Sequence, residues 1–275
     1  MNEAVSSASI FCMAIAGLIS FCIPVALFFW FRKKKHADVL PFFIGMAVMF
    51  VFALILESLV HQLVLNVLPV GKTILGNIWL YALYGGLMAG LFEETGRFIA
   101  FKTILKKYRD RDIDALMYGA GHGGFEAAIL FGSTMISNIV ISIMLNNGMT
   151  SALTATATAE TLPQIEAMFE SLKTTAPYTY FIGLLERFFA VAVQLSLSVF
   201  VWFAAKDGRK WYLYPLAILL HFLVDGCLVV VAQYFTSYWI IYGILLLETA
   251  AVALLAYAIW KRNAKKEQTD ADQAV

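Results

Sequence analysis

Charge is scarce in this sequence. Asp, Glu, Lys and Arg make up 14% of its 275 residues, against about 25% in an ordinary soluble domain. Hydrophobic residues reach 61%. That leaves too little polar surface to cover a soluble enzyme, and the same excess excludes disorder of the chain as a whole. Cysteine is equally sparse. Cys12, Cys22 and Cys227 all lie in apolar runs, so there is no disulfide framework and no CxxC pair for zinc. They read as buried membrane residues. The net charge of +1 gives no reason to expect a nucleic-acid partner.

What the sequence has instead is long apolar runs. A membrane helix needs about 20 mostly apolar residues. Stretches near 8–31, 38–62, 76–104, 114–145, 179–205, 212–234 and 237–260 meet that length. The expectation is an all-α, polytopic membrane protein: a bundle of about seven transmembrane helices forming one domain over 1–260. A polar cytoplasmic tail, expected to be disordered, follows at 261–275. The first run reads as a span and not as a cleaved leader. Its basic cluster, Arg32 to Lys35, follows the apolar stretch, and no small-residue cleavage site comes after it.

Basic residues set the expected orientation. Sixteen of the 20 Lys and Arg fall at or beyond the ends of the first, third, fifth and seventh spans, and only Lys72 and Lys173 lie on the other side. This predicts an outside N-terminus and a cytoplasmic C-terminus. The long connection 146–178 then lies outside, with a short amphipathic helix expected over 162–172.

Ionisable residues inside spans are costly, so each is a candidate for function. They are Glu57 and His61 in the second span, Glu93, Glu94 and Arg97 in the third, and His122 and Glu126 in the fourth. The fifth carries Glu186 and Arg187, the sixth His221 and Asp225, and the seventh Glu248. Glu93 and Arg97, His122 and Glu126, and His221 and Asp225 are i,i+4 pairs, and Glu94 and Arg97 are i,i+3. Each such pair shares a helix face. Counted inward from the cytoplasmic ends, Glu93 lies roughly 13 Å deep, His122 roughly 12 Å and His221 roughly 15 Å. Three helices thus bring an acid and two imidazoles to one layer.

Four carboxylates, two imidazoles and a guanidinium in a low-dielectric site cannot all ionise independently; a shared proton, a cation or a water chain must compensate. A carboxylate beside a bound water is a candidate general base. The two histidines can hold that water, bind a metal or donate to an oxyanion. All three options point to hydrolysis. Depth separates the remaining groups from this layer: Glu57 and His61, and Glu186 and Arg187, lie toward the outer side, where helix bridging is their expected role. Gln194 lies nearer the layer and can line it. Gly119, Gly121, Gly123 and Gly124 flank His122, either for close helix packing or to leave room for a substrate backbone. Gly86 and Gly90 form a small-xxx-small step.

Three segments carry a family likeness: Phe92-Glu93-Glu94-Thr95-Gly96-Arg97, Gly121-His122-Gly123-Gly124-Phe125-Glu126 and His221-Phe222-Leu223-Val224-Asp225. In this order they resemble the motifs of the polytopic intramembrane proteases of the CAAX-processing and bacteriocin-processing type and of the PrsW-like proteases. The closest likeness is to the bacterial YhfC family of intramembrane proteases. It covers the third to sixth spans, with a catalytic core about 76–234. The basic residue follows the second Glu by three, nearer the PrsW spacing than the CAAX one, and the second motif holds both His122 and Glu126.

The resemblance implies an intramembrane endopeptidase acting on a membrane-associated peptide or protein. It implies that Glu93 activates the water with Glu94 in support, and that His122 and His221 position the water or stabilise the oxyanion. Asp225 would orient His221, Arg97 would hold the Glu pair, and Glu126 would orient His122 or serve as a second acid. A metal-free, glutamate-dependent mechanism is the expectation. A Zn2+ form would use His122, His221 and Glu93. A proton-coupled transporter is the alternative, since buried acids and histidines also build proton relays.

Overall fold

In the computed structural model, which describes residues 4–264, every regular element is a helix. The long ones are α1 (Ser7–Lys35), α2 (Val39–Val67), α3 (Ile78–Lys102), α4 (Ile113–Asn146), α5 (Leu162–Thr174), α6 (Thr179–Lys206), α7 (Leu213–Tyr234) and α8 (Tyr238–Asn263). Wide π-type turns occupy Met49–Glu57 and Gln62–Val67 of α2 and Ala127–Gly132 of α4. Six helices are long and apolar enough to cross a membrane: α1, α2, α4, α6, α8 and the stretch Gly208–Tyr234 that contains α7. The seventh expected span, α3, has the length at 25 residues, but Glu93, Glu94, Arg97 and Lys102 interrupt its apolar run. Trp239, Val67, Leu247 and Phe11 are 89%, 71%, 70% and 66% exposed, as side chains that face acyl chains should be. The protein is a multi-pass, all-α membrane protein. Of the expected polar tail, 261–263 continue α8, and 265–275 lie outside the described residues.

The chain divides into two compact units, one of Met1–Ala26 with Gly124–Phe188 and one of Leu27–Gly123 with Phe189–Val275. In the first, small residues admit their neighbours: Gly124 faces Pro24, Gly132 faces Phe21 and Gly183 faces Phe131. Ser20 donates to the carbonyl of Ala127 at 2.8 Å. Asn146 exchanges two hydrogen bonds with the backbone of Val5, at 2.8 and 2.9 Å. The amphipathic α5 runs two residues beyond its expected end, burying Phe169 and Leu172.

The second unit holds the motif residues other than Gly124, Phe125 and Glu126, and backbone contact positions them. Lipid offers no hydrophobic drive to helix association, so close packing must supply it. Gly86 and Gly90 lay α3 on α7: a Cβ at either would meet the carbonyl of Phe222 or of Ile218 at 2.7 Å. At the crossing of α2 and α4, a Cβ on Gly45 would meet the Tyr118 carbonyl at 2.3 Å, and one on Gly121 the Phe42 carbonyl at 1.9 Å. Gly119 and Gly123 admit Ser198 and Gln194 of α6 at 2.8 and 2.7 Å. Around these contacts Phe101, Tyr118 and Trp202, all fully buried, pack edge to face at 4.6 and 5.0 Å. Just before α7, the backbone N–H of Arg209 donates to the Asp207 carboxylate at 3.0 Å. That bond, with the Arg209 side chain, holds the Asp207 carboxyl down at about 2.

Gly121→Ala is expected to be costly, because the atom in the way is a backbone oxygen that can move only if α2 and α4 part. A loss of about 1–3 kcal/mol or more should appear in thermal unfolding in detergent. Gly243→Ala, with open space at the Cβ position, is the control. It should be neutral or stabilising by up to about 1 kcal/mol.

Candidate functional site

Five side chains of α3, α4 and α7 meet α6 in the interior of the second unit. Glu93, Glu94, Arg97, His122 and His221 are all buried, with Glu94, Arg97 and His122 at 0% exposure. Helical spacing brings Glu93, Glu94 and Arg97 to one stretch of α3, and the Gly86–Gly90 step holds that stretch against α7. Gly121 and Gly123 flank His122 and let the chain approach on both sides.

The two glutamates have different partners. Oε2 of Glu93 lies 2.8 Å from Nε2 of His122 and accepts the amide N–H of Gln194 at 2.7 Å. Nε2 of His221 faces the same oxygen at 4.0 Å. Glu94 is chelated by Arg97, whose Nη1 donates to both carboxylate oxygens at 2.9 and 2.7 Å. Glu94 Oε1 also lies 2.8 Å from Nδ1 of His221. An ionised carboxylate only accepts, so Nδ1 of His221 carries the proton. That sets the ring's orientation and leaves Nε2 to face Glu93 and, at 3.5 Å, Oδ2 of Asp225.

Gln194 closes the network. Arg97 Nη2 donates to its amide oxygen, and since Arg has no acceptor this sets the amide so that its N–H faces Glu93. A search for ionisable residues passes over a glutamine. The available signal is a bulky polar amide in the mid-span run Val191–Ser198, 3% exposed in the structure.

The other in-span candidates sit elsewhere. Asp225 reaches His221 from a more accessible position, its side chain 43% exposed. Glu126 belongs to the other unit, where it forms an ion pair with Arg187 at 3.3 Å while Arg187 also pairs with Glu186. Nδ1 of His122 is buried and has no hydrogen-bond partner among the described residues. The i,i+4 spacing of His122 and Glu126 thus sits beside two separate partnerships. Glu57, His61 and Tyr84 form a second cluster, with His61 bonded to both at 3.1 and 3.0 Å; it bridges α2 to α3. Glu248 of α8 is hydrogen-bonded to Cys227 of α7 and feels the charge of Asp225.

The donor types are those zinc takes, two imidazoles and a carboxylate. Their arrangement is different. His122, Glu93, Gln194, Arg97, Glu94 and His221 run as a hydrogen-bonded chain, each satisfying its neighbour. Among the described residues no three His, Cys, Asp or Glu side chains are set around one point to hold an ion. As placed, these side chains bond to one another.

Fold and site together define a multi-pass membrane protein with an acid–imidazole network buried in its interior. The chain belongs to the family described as YhfC intramembrane metalloprotease, whose model matches residues 19–246. It is 38% identical over 221 residues to the membrane protein YhfC of Bacillus subtilis (strain 168), a match spanning 80% of this chain and 84% of that protein. No solved structure matches it.

Proposed function

We propose that the protein is an intramembrane endopeptidase of a bacterial cytoplasmic membrane. It hydrolyses a peptide bond in a membrane-associated protein or peptide with a water activated by Glu93. The observation that carries this reading is the pairing at Glu93. One carboxylate oxygen, Oε2, is occupied by His122 and Gln194, so Oε1 is the oxygen that takes a proton from water.

The hydroxide so formed attacks the scissile carbonyl, while the proton rests on Glu93. His221, carrying a proton on Nε2 as well as on Nδ1, stabilises the oxyanion, while His122 holds Glu93 in place through Nε2. The proton then passes to the leaving nitrogen as the C–N bond breaks. Glu94 holds Nδ1–H of His221, so the imidazole cannot rotate, and Arg97 holds Glu94. Asp225 orients His221 from the accessible side, and Glu126 supports α4 through Arg187. The basic ends of α1, α3, α6 and α8 support a site that opens toward the cytoplasm. The family's description raises the zinc form, in which His122, His221 and Glu93 would be the ligands; no step above runs through a metal.

One experiment tests both. The purified protein is reconstituted in proteoliposomes with a fluorescently labelled single-span peptide, with and without a chelator, and its metal content is measured. Cleavage that survives chelation, with no stoichiometric metal, and that falls by at least about 100-fold in His221→Ala is the expected result. Zinc near one per chain, lost together with activity, overturns the glutamate-water reading. Undiminished cleavage by His221→Ala overturns the site.

A further inference from the structure

Away from the network, two cavities of the second unit lie side by side at the basic end of the bundle. One, of about 400 Å³, is polar: Trp30 and Lys35 of α1, Asp112 at the start of α4 and Trp260 of α8 line it. The other, of about 300 Å³, is apolar, walled by Leu195 and Val199 of α6 and by Ala253, Ala256 and Tyr257 of α8. They share Leu116 and Trp260, so they form one groove with a polar head and an apolar tail. From this we infer that the groove is a binding site for one anionic phospholipid, its phosphate at Lys35 and one acyl chain along α8.

The charge in the head favours an anion. Asp112 is 6% exposed and already committed: it pairs with Lys206 and accepts the indole N–H of Trp202 at 3.0 Å. Its charge is therefore matched, and the exposed ammonium of Lys35 dominates the chamber. Arg32, Lys33 and Lys34 precede it on α1, and Lys261 and Arg262 follow Trp260 on α8. Two indoles beside such cations mark the level of lipid headgroups.

The tail excludes a helical segment. From Trp260 to Ala253 the groove follows seven residues of helix, roughly 10 Å. That is within the roughly 15 Å hydrocarbon layer of one leaflet and far short of the roughly 30 Å a spanning helix needs. A helix is also about 10 Å wide, too wide for a cavity of about 300 Å³, whereas a single acyl chain is of the right gauge. The site lies outside the acid–imidazole network and stands whether or not the protein is a protease.

The test titrates phosphatidylglycerol into the full-length protein in detergent and counts retained lipids by native mass spectrometry. One lipid should bind with an affinity above that of phosphatidylcholine. Lys35→Glu, which reverses the charge at an exposed position, should weaken it by about tenfold or more, and Ala253→Phe, which fills the tail groove, should do the same. Glycerol phosphate at equal concentration should not displace it. Equal retention by wild type and both variants, equal binding of the two lipids, or displacement by glycerol phosphate would each overturn the proposal. Thermal unfolding of the lipid-free variants confirms that the substitutions leave the fold intact.

Discussion

Glu93→Gln is expected to lower the rate of peptide cleavage by about two to four orders of magnitude while leaving the protein folded and its network closed. The asymmetry of the carboxylate is the reason. Oε2 accepts from Gln194 and His122, and an amide oxygen in that place keeps both bonds. The amide nitrogen then occupies the position of Oε1, where it can donate to water but cannot take a proton from it. Chemistry is removed and structure is kept. Glu93→Ala is the poorer test, because it strands two buried donors at about 1–3 kcal/mol each, and a loss of activity could then be a loss of fold. The measurement is kcat and KM for the labelled single-span peptide at matched amounts of folded protein. The fall should lie in kcat, since the lost interaction acts on the reacting water. Cleavage within tenfold of wild type would remove Glu93 as the base.

How much of this centre was legible beforehand depends on what spacing can and cannot encode. Helical spacing assigned Glu93, Glu94 and Arg97 to a common stretch, and depth along the spans placed His122 and His221 in the same layer. The structure brings those five side chains together. Spacing did not choose partners. Arg97 stands i,i+4 from Glu93 and i,i+3 from Glu94, and both are allowed; its Nη1 went to Glu94 because Glu93 is drawn to α4 and α6. His221 stands i,i+4 from Asp225, yet its Nδ1 turns to Glu94 on another helix. Such choices are made between helices, and one sequence does not state which helices touch. Depth alone marks Gln194 as a residue that can line the layer; lacking charge, it carries no sign in the sequence that it links Arg97 to Glu93. The residues that earn function also weaken the membrane signal of the helix that bears them: α3, expected as a span like the rest, is the long central helix missing from the six most apolar ones. The glycines beside His122, readable either as packing or as substrate space, meet backbone and side chains of α1, α2 and α6, which favours packing.

Removing Arg97 should be the most destabilising single change in the protein. Its guanidinium is fully buried and holds Glu94 with two bonds and Gln194 with a third. In Arg97→Met the Glu94 carboxylate stays in the interior with only His221 to meet it, and Gln194 loses the donor that sets its amide. Breaking one side of a buried pair costs about 3–5 kcal/mol, whereas replacing both partners with apolar groups of similar volume is often neutral. The double variant Glu94→Leu with Arg97→Met should therefore recover most of the stability lost in Arg97→Met, measured by denaturant or thermal unfolding in detergent. It should recover none of the activity, because Nδ1 of His221 has lost its acceptor and Nε2 is no longer held toward Glu93. Stability and catalysis then separate along the same two residues. If the double variant proves as unstable as the single one, the energy resides in packing around α3 and not in the ion pair. If it regains cleavage, His221 does not need Glu94 to hold it, and the network as described is not the machinery of the reaction.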